Sequence, residues 1–373
     1  MKKISASLLA VVLIFSIIIK DAAAMELNGK SFILIECGTG QVLYESNADE
    51  QLSIASVTKI MTMLLTMEAI ARGEITYDSI VVASERAKSM GGSTIFLDTG
   101  EEMSVDDLLK GIAVASGNDA CVAIAEHLSG TVENFVAVMN NRAKELGMTN
   151  TNFVTCNGLD ADGHYSSARD VAIMSRELLK HEDIFRYTTI WMDSLRDGKF
   201  QLANTNKLIR FYAGANGLKT GSTSKAKNCI SATAKRDNMQ LCAVVLGSDT
   251  SQLRFNAAST LLNYGFNSFS LSGMKKGESA GEVPIKKGNA QKIKAVLSDD
   301  CMVIVNKINA DSVKKSVTLV ESVEAPVKKG DKLGEITITT ETGSRVVDIV
   351  ADDDVEKISF GKMYMKILKK WTA

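Results

Sequence analysis

The sequence predicts an α+β domain followed by a small all-β domain. Two observations indicate the first domain: β-type runs lie near both of its ends, and the region between them has helical patterns. A third observation indicates the second domain, because helical periodicity stops and short runs rich in valine, isoleucine and threonine take over. We therefore place the first domain at residues 25–268 and a β-sandwich-like domain at residues 269–356.

The strands of the first domain are predicted from two hairpins. Runs at Ser31–Glu36 and Gln41–Tyr44 flank the glycine turn Gly38-Thr39-Gly40. Near the other end of the domain, runs at Asn228–Ala234 and Leu241–Gly247 flank a polar turn. Strands at both ends with helices between them favour one antiparallel sheet that the first and last strands share.

The helices between these hairpins follow from apolar periodicity. The segment that begins at Ser56 is apolar on nearly every side, which predicts a buried helix with Ser56 on its first turn. A second helical region, Val105–Leu128, is interrupted by Ser116-Gly117-Asn118. A third runs over Ser166–Leu179.

The all-β domain carries a near repeat that contains both prolines of the chain. Its copies are Glu282–Gly288 (EVPIKKG) and Glu324–Gly330 (EAPVKKG). Proline is typical of edge strands and Lys-Gly of turns. Equivalent strand-and-turn units therefore explain the repeat better than a binding motif does.

The first 24 residues have the pattern of a secretory signal peptide. Lys2 and Lys3 precede the apolar run Leu8–Ile19, and Ala22-Ala23-Ala24 supplies small residues for cleavage. The alternative is an uncleaved membrane anchor, although the run is short for a bilayer span. Either interpretation predicts that the protein acts outside the cytoplasm, at the outer face of the cytoplasmic membrane.

The last segment, residues 357–373, has the pattern of an amphipathic helix that lies on a membrane surface. The alternative is a terminal helix packed on its own domain. Its apolar stripe is Phe360, Met363, Tyr364, Ile367, Leu368 and Trp371, and its lysines are Lys362, Lys366, Lys369 and Lys370.

Composition excludes some classes of function. A net charge of -1 with dispersed basic residues argues against a nucleic-acid partner. Six widely spaced cysteines do not form a metal-binding pattern, and we expect them to be mostly free and buried. Three histidines leave little material for a metal site or a Ser-His-Asp triad, and no cofactor is expected.

Three short motifs occur in a chemically meaningful order. They are S-x-x-K at Ser56-Val57-Thr58-Lys59, S-x-N at Ser116-Gly117-Asn118, and K-T-G at Lys219-Thr220-Gly221. Singly they have structural explanations as a helix cap, a helix break and a turn before a strand, and S-x-x-K occurs six times in the chain. Together and in this order they are the set found in penicillin-binding proteins and β-lactamases.

The resemblance extends beyond the motifs. Ile33–Thr62, Gly91–His127 and Asn216–Thr233 resemble the low-molecular-mass penicillin-binding proteins that are serine-type D-alanyl-D-alanine carboxypeptidases. The resemblance implies the serine D,D-peptidase/β-lactamase-like fold, and the β domain and terminal helix also suit that family. It further implies a peptidoglycan stem peptide as substrate and β-lactam antibiotics as acylating inhibitors.

The residues themselves suggest how the first motif works. Ser56 at a helix N-terminus lies at the positive end of the helix dipole, and the spacing of three places Lys59 on the same face. A lysine accepts a proton only when it is neutral. Apolar neighbours and a second cation at Lys219 both disfavour the ammonium form, so Lys59 is the candidate base.

The resemblance implies the reaction. Ser56 attacks the D-Ala-D-Ala bond, free D-alanine leaves, and water hydrolyses the acyl-enzyme. Ser116 relays a proton between Lys59 or Lys219 and the leaving amine, while Asn118 holds the substrate amide.

The third motif has binding roles by the same resemblance. Lys219 and Thr220 bind the terminal carboxylate, and Gly221 lets the substrate backbone approach the strand. The backbone N–H groups of Ser56 and Ser222 form the oxyanion hole.

The sequence departs from the family pattern at three positions. Ile54 stands where many relatives have proline, Cys156 lies where proline or a similar residue is usual, and Ser222 replaces a histidine of some members. None of them removes a catalytic group, and they bear on pH dependence and substrate preference. Near the motifs, we expect His164 to order its loop and Asp119 to pair or cap locally.

Three other functions compete with the carboxypeptidase interpretation. A class A β-lactamase needs a deacylating glutamate between the second and third motifs, and Glu177 is no convincing match because it lies in an amphipathic helix. A D,D-endopeptidase or transpeptidase differs only in acceptor or substrate context. A non-enzymatic penicillin-binding receptor is disfavoured by the intact serine, lysines and Asn118.

Overall fold

The computed structural model describes residues 25–340, 343–362 and 364. Over these residues the chain divides into two units, one of residues 25–270 and one that begins at residue 271. The predicted signal peptide at residues 1–24 lies outside the described residues.

The first unit is built on an antiparallel sheet of five strands in the order β2-β1-β9-β8-β7, with two two-stranded sheets, β3-β4 and β5-β6, beside it. Its strands are β1 (Ser31–Glu36), β2 (Val42–Ser46), β3 (Ile80–Val82), β4 (Glu102–Ser104), β5 (Met192–Leu195), β6 (Phe200–Ala203), β7 (Ala215–Thr223), β8 (Lys227–Arg236) and β9 (Met239–Ser248). Leu34 of β1 lies opposite both Tyr44 of β2 and Ala243 of β9. The prediction that the first and last strands share one sheet is confirmed.

The helices of the first unit lie mostly between β2 and β7 in the chain. They are α1 (Lys59–Ala71), α2 (Glu85–Lys88), α3 (Val105–Lys110), α4 (Asn118–Ser129), α5 (Val132–Glu145), α6 (Ala168–Leu178), α7 (Phe185–Thr188), α8 (Leu208–Phe211) and α9 (Ser251–Ser268). Helix α1 is apolar on nearly every side because other elements surround it, and Ile60, Met63 and Leu64 are fully buried. Helices α5, α6 and α9 begin at hydroxyl caps, which are Thr131, Ser167 and Thr250.

Two helix predictions need correction in detail. Ser56 does not lie on the first turn of α1, because Ala55–Thr58 form a 3₁₀ turn and the α-helix begins at Lys59. The region Val105–Leu128 is interrupted at Ser116 and Gly117, as predicted, and the turn before this break, Gly111–Ala115, is π-helical where an α-helix was expected. The 3₁₀ turn contains Ser56, and the π-helical segment comes directly before Ser116, which agrees with the tendency of π-helical turns to occur at functional sites.

The second unit is all-β among the residues described, apart from a short 3₁₀ segment, Lys307–Ser312, and the helical residues Phe360–Lys362 and Tyr364. Its six-stranded sheet has the order β14-β16-β17-β12-β11-β15, and β10 pairs with β13. The strands are β10 (Phe269–Met274, which crosses the unit boundary), β11 (Ser279–Lys286), β12 (Lys292–Leu297), β13 (Cys301–Asn306), β14 (Lys314–Leu319), β15 (Val323–Glu324), β16 (Lys332–Thr340) and β17 (Gly343–Ala351). The two sheets share a core that includes Cys301, Ile336 and Ile349, so the predicted separate all-β fold is confirmed.

The two copies of the proline-containing repeat lie side by side. Ile285 of β11 pairs with Val323 of β15 in a parallel arrangement, and the Ala325 N–H donates to the Lys286 carbonyl at 2.9 Å. The predicted terminal helix lies mostly outside the described residues. Of the residues 357–373 that the structure describes, Phe360–Lys362 and Tyr364 are helical. Across the described part of the chain, no helix has both the length and the apolar character to cross a membrane.

Candidate active site

The 3₁₀ turn before α1 brings Ser56 and Lys59 together. The Lys59 Nζ lies 2.8 Å from the Ser56 Oγ, and the Lys59 side chain is fully buried whereas Ser56 is partly exposed. Ala55, directly before the serine, has a φ of 48°, which is unfavourable for a residue with a Cβ. The turn therefore presents the hydroxyl at the surface while the amine stays beneath it.

Three oxygen atoms surround the Lys59 amine. Besides the Ser56 hydroxyl, it contacts the Asn118 Oδ1 and the Asn157 carbonyl, both at 2.6 Å. A carbonyl oxygen only accepts, so these two contacts each require an N–H of lysine. The serine hydroxyl is the one partner that can either accept or donate. A neutral amine therefore fits this site with two N–H bonds and its lone pair directed at Ser56.

Burial favours that neutral form. Removal from water lowers the pKa of the Lys59 ammonium, although Cys121, Cys156 and Asp119 oppose the shift. Burial also lowers the pKa of Lys219 well below its ordinary value, with the neighbouring Lys59 charge as the second cause. Two lysines thus lie in one poorly hydrated site where both cannot easily remain charged.

The second motif is positioned by the break between two helical segments. Ser116 has a left-handed backbone (φ 65°, ψ 33°) after the π-helical segment, and Asn118 begins α4. The Asn118 Nδ2 donates to the Gly91 carbonyl at 2.7 Å while its Oδ1 accepts from Lys59. The amide is therefore fixed in orientation between the loop at Gly91 and the catalytic lysine candidate.

The third motif lies on β7, at an edge of the five-stranded sheet. Lys219 is buried and its Nζ donates to the Thr220 carbonyl at 3.0 Å. The Thr220 hydroxyl donates to the Thr205 Oγ1 at 2.8 Å. Ser222 is exposed, and its hydroxyl donates to the Asn228 Oδ1 at 3.3 Å.

Gly221 has a structural role besides the substrate approach that the family resemblance implies. A Cβ at this residue would lie 2.7 Å from the Ile54 carbonyl oxygen, 2.8 Å from the Ser56 nitrogen and 2.9 Å from the Val57 nitrogen. The turn that carries Ser56 thus packs directly on β7. The missing side chain is required by this contact between the first and third motifs.

Comparisons with known proteins give the family of the chain. Residues 18–250 match the D-alanyl-D-alanine carboxypeptidase family, and residues 271–357 match the C-terminal domain of penicillin-binding protein 5. The chain is 43% identical over 360 residues to the D-alanyl-D-alanine carboxypeptidase DacF of Bacillus subtilis, which covers 95% of this chain and 92% of the relative.

This chain belongs to the D-alanyl-D-alanine carboxypeptidase family.

Other relatives of the carboxypeptidase support the assignment. The chain is 33% identical to the D-alanyl-D-alanine carboxypeptidase DacC of Escherichia coli over 361 residues, and the alignment covers 93% of this chain and 90% of the relative. Penicillin-binding protein 5 of Haemophilus influenzae has a similar solved structure, with a TM-score of 0.74, 30% identity, and coverage of 89% of this chain and 98% of that one. The predicted family, fold class and activity, those of a penicillin-binding serine peptidase, are therefore confirmed.

Two residues of the carboxypeptidase site lacked a motif signal. Arg254 of α9 is 5% exposed, and its Nη1 donates to the carbonyls of Gly221 at 3.1 Å and Cys229 at 3.2 Å. Burial lowers its pKa to about 10. The Asn157 carbonyl contacts Lys59 through its backbone, so no side-chain pattern could indicate it.

His164 orders the loop beside the first motif, as expected. Its Nδ1 accepts from the backbone N–H groups of Val154 at 3.0 Å and Thr155 at 3.3 Å, so its Nε2–H donates to the Thr58 Oγ1 at 2.8 Å. Burial lowers the pKa of His164 to about 4 and keeps the ring neutral. The imidazole is bonded to Thr58 and is no partner of the Ser56 hydroxyl in the hydrogen bonds described.

Asp119 also acts locally. Its carboxylate accepts from the backbone N–H groups of Ile95 and Leu97, at 3.0 and 3.1 Å, and so fixes the loop beside Asn118. Within the described ranges, no group of three or more histidine, cysteine or acidic side chains could hold a metal ion.

Proposed function

We propose that this carboxypeptidase removes the terminal D-alanine from peptidoglycan stem pentapeptides through an acyl-enzyme on Ser56. The observation that carries the residue assignment is the 2.8 Å contact between the Ser56 Oγ and the buried Lys59 Nζ. A hydroxyl next to an amine of lowered pKa is the arrangement that activates a serine without histidine.

Acylation begins with proton transfer from Ser56 to neutral Lys59. The Oγ attacks the carbonyl carbon of the D-Ala-D-Ala bond, and the carbonyl becomes a tetrahedral oxyanion. The backbone N–H groups of Ser56 and Ser222 stabilise that oxyanion. Support comes from Gly221, where a Cβ would lie 2.8 Å from the Ser56 nitrogen, so that β7 runs beside this N–H.

Collapse of the tetrahedral intermediate breaks the peptide bond. Ser116 passes the proton that Lys59 took from Ser56 to the leaving nitrogen, so that Lys59 is neutral again when D-alanine departs. Lys219 and Thr220 hold the carboxylate of D-alanine before departure. Burial lowers the pKa of Lys219, and the negative charge of the carboxylate restores the ammonium form that binds it.

Deacylation uses the same groups with water in place of serine. Lys59, neutral again, takes a proton from water, which attacks the ester carbonyl carbon, and the proton returns to the Ser56 oxygen as the ester bond breaks. Asn118 holds the substrate amide through both steps. Its side chain is already fixed by Gly91 and Lys59.

A direct test measures D-alanine release from diacetyl-Lys-D-Ala-D-Ala by residues 25–373. We expect release by the unchanged protein and by Ser53→Ala, a matched serine variant three residues away, but none by Ser56→Ala. Lys59→Met should lose about 10²- to 10⁴-fold, the usual contribution of a general base. Activity retained by Ser56→Ala would refute the nucleophile, and no release by the unchanged protein would favour an endopeptidase, transpeptidase or non-catalytic binder.

We also propose that the protein is secreted and attached to the outer face of the cytoplasmic membrane. Support comes from the signal-like residues 1–24 and the amphipathic pattern of residues 357–373. N-terminal sequencing of the protein from membranes should begin at Met25. A chain truncated after residue 356 should appear in the soluble extracytoplasmic fraction, and membrane retention of the truncated chain would contradict the proposed helix.

A further inference from the structure

Phe96 is an aromatic residue held in an unfavourable backbone conformation and turned toward solvent. Its φ is 56°, and its side chain is 72% exposed. The residues on either side are the opposite, because Ile95 and Leu97 are buried. Non-glycine residues of this size rarely adopt a left-handed conformation, and such strain persists only where the surroundings enforce it.

Two side chains enforce the conformation of Phe96. Asp119 accepts from the backbone N–H groups of Ile95 and Leu97, the residues that flank it. Arg196, at the tip of the β5–β6 hairpin, donates to the carbonyls of Ile95 at 3.0 Å and Phe96 at 3.1 Å. The peptide groups on both sides of Phe96 are thus fixed by hydrogen bonds to Asp119 or Arg196, and the phenyl ring faces outward.

The ring is also supported. Phe96 and Phe200 of β6 form an edge-to-face pair with centroids 5.8 Å apart and an interplanar angle of 69°. The Arg196 guanidinium lies 5.5 Å from the centroid of Phe200. An exposed aromatic ring with an aromatic neighbour at its side offers a preorganised apolar surface.

This surface belongs to the loop that lines the second motif. The Asn118 backbone N–H donates to the Ser93 carbonyl, and its Nδ2 to the Gly91 carbonyl, both at 2.7 Å. A Cβ at Gly117 would lie 3.3 Å from the Ile95 side chain. Phe96 therefore follows directly on residues that contact the Ser116–Asn118 segment.

We propose that Phe96, supported by Phe200, contacts the donor peptide on the N-terminal side of the scissile bond. This inference rests on the proposed function, in which Lys219 and Thr220 hold the leaving D-alanine and Asn118 holds the donor amide. The ligand is the aliphatic side chain of the residue that precedes D-Ala-D-Ala, whose methylene groups match the apolar ring. Phe96 is thereby a determinant of donor specificity.

The test compares two donors, diacetyl-Lys-D-Ala-D-Ala and acetyl-Gly-D-Ala-D-Ala, which differ in the side chain that Phe96 is proposed to contact. For Phe96→Ala we expect kcat/KM for the lysine donor to fall by about 3- to 10-fold, the worth of one aromatic contact, and that for the glycine donor to change less than twofold. Phe211→Ala is the matched control, since Phe211 is 73% exposed and also pairs with an aromatic ring, Trp191. It should change neither value.

A second variant separates binding from loop stability. Phe96→Asn suits the left-handed backbone better, so its Tm should equal or exceed that of the unchanged protein while selectivity for the lysine donor is lost. An equal loss with both donors, or no loss with either, would overturn the proposal.

Failure of the proposed function would look different, because the unchanged protein would release D-alanine from neither donor. Acylation rates with benzylpenicillin and 6-aminopenicillanic acid, which lacks the donor-side phenylacetyl group, would then test Phe96 in the same variants. A preference for benzylpenicillin that Phe96→Ala leaves intact would count against it.

Discussion

Replacement of Gly221 by alanine tests whether β7 positions the nucleophile. The added Cβ would meet backbone atoms of Ile54, Ser56 and Val57 at 2.7 to 2.9 Å, where ordinary contacts begin at 3.4 Å. The turn that carries Ser56 must therefore move by about 0.5 to 0.7 Å, because backbone atoms cannot rotate away as a side chain does.

Two magnitudes follow for Gly221→Ala. Overpacking of this kind costs about 1–3 kcal/mol, which lowers the Tm of a domain of this size by about 2 to 12 °C. A displacement approaching 1 Å at a catalytic group costs up to about 10²-fold in rate, so acylation by a labelled penicillin should slow by about 10- to 100-fold.

The two readouts distinguish two explanations of this glycine. If Gly221 serves only substrate approach, acylation falls while Tm stays the same. If it serves the packing of the Ser56 turn on β7, both fall together. Gly361→Ala provides a control, since its Cβ would meet nothing within 4 Å. A Gly221→Ala protein with unchanged Tm would refute the packing argument.

Three further predictions concern protonation and accessibility. The pKa of His164 is about 4 in the folded protein and about 6.5 in the unfolded chain, so protons bind the unfolded chain more tightly and favour unfolding. The free energy of unfolding should therefore fall by about 3 kcal/mol as pH decreases from 6.5 to 4. Urea unfolding should show this fall, and His164→Gln should lack it. Asn118→Asp replaces the Asn118 Oδ1, 2.6 Å from the Lys59 Nζ, with a carboxylate oxygen, and the added negative charge raises the pKa of Lys59. The acylation rate should then begin to rise at a pH about one unit or more higher. An unmoved pH profile would contradict the neutral-amine mechanism. All six cysteines are free and buried, and burial raises the pKa of Cys156 and Cys242 to about 11. A thiol reagent such as DTNB should therefore react with six thiols in urea but only slowly in the native protein. Rapid labelling of the native protein would show that the site region opens.

The sequence predicted the features that short-range patterns encode. Ser56 and Lys59 are three residues apart, so a single turn of either helix type brings them together, and the error in assigning an α-helical turn changed little. The strands around Leu34 and Ala243 were predictable because apolar runs at both ends of an α+β domain need a common sheet. The order of the S-x-x-K, S-x-N and K-T-G motifs along the chain then predicted that the elements carrying them form one site.

Contacts across large sequence distances were beyond such patterns. The Asn157 carbonyl reaches Lys59 across 98 residues, and Arg254 reaches the Gly221 carbonyl across 33. A backbone carbonyl has no residue type to recognise, and an arginine in a helix has the same appearance whether it faces water or a buried strand. The K-T-G motif predicted Gly221 as a residue of the site, but the atoms that exclude a side chain there belong to the turn that carries the S-x-x-K motif.

The partners of Lys59 explain why a lysine can serve as a base here when burial alone would only make it an unfavourable charge. Burial disfavours the ammonium, yet a neutral amine still needs acceptors for its N–H groups or it would remain unsatisfied. Asn118 and Asn157 supply two acceptors that cannot reverse direction. The only remaining direction for the lone pair is toward Ser56, so the same two carbonyl oxygens that stabilise the neutral amine also orient it for proton transfer.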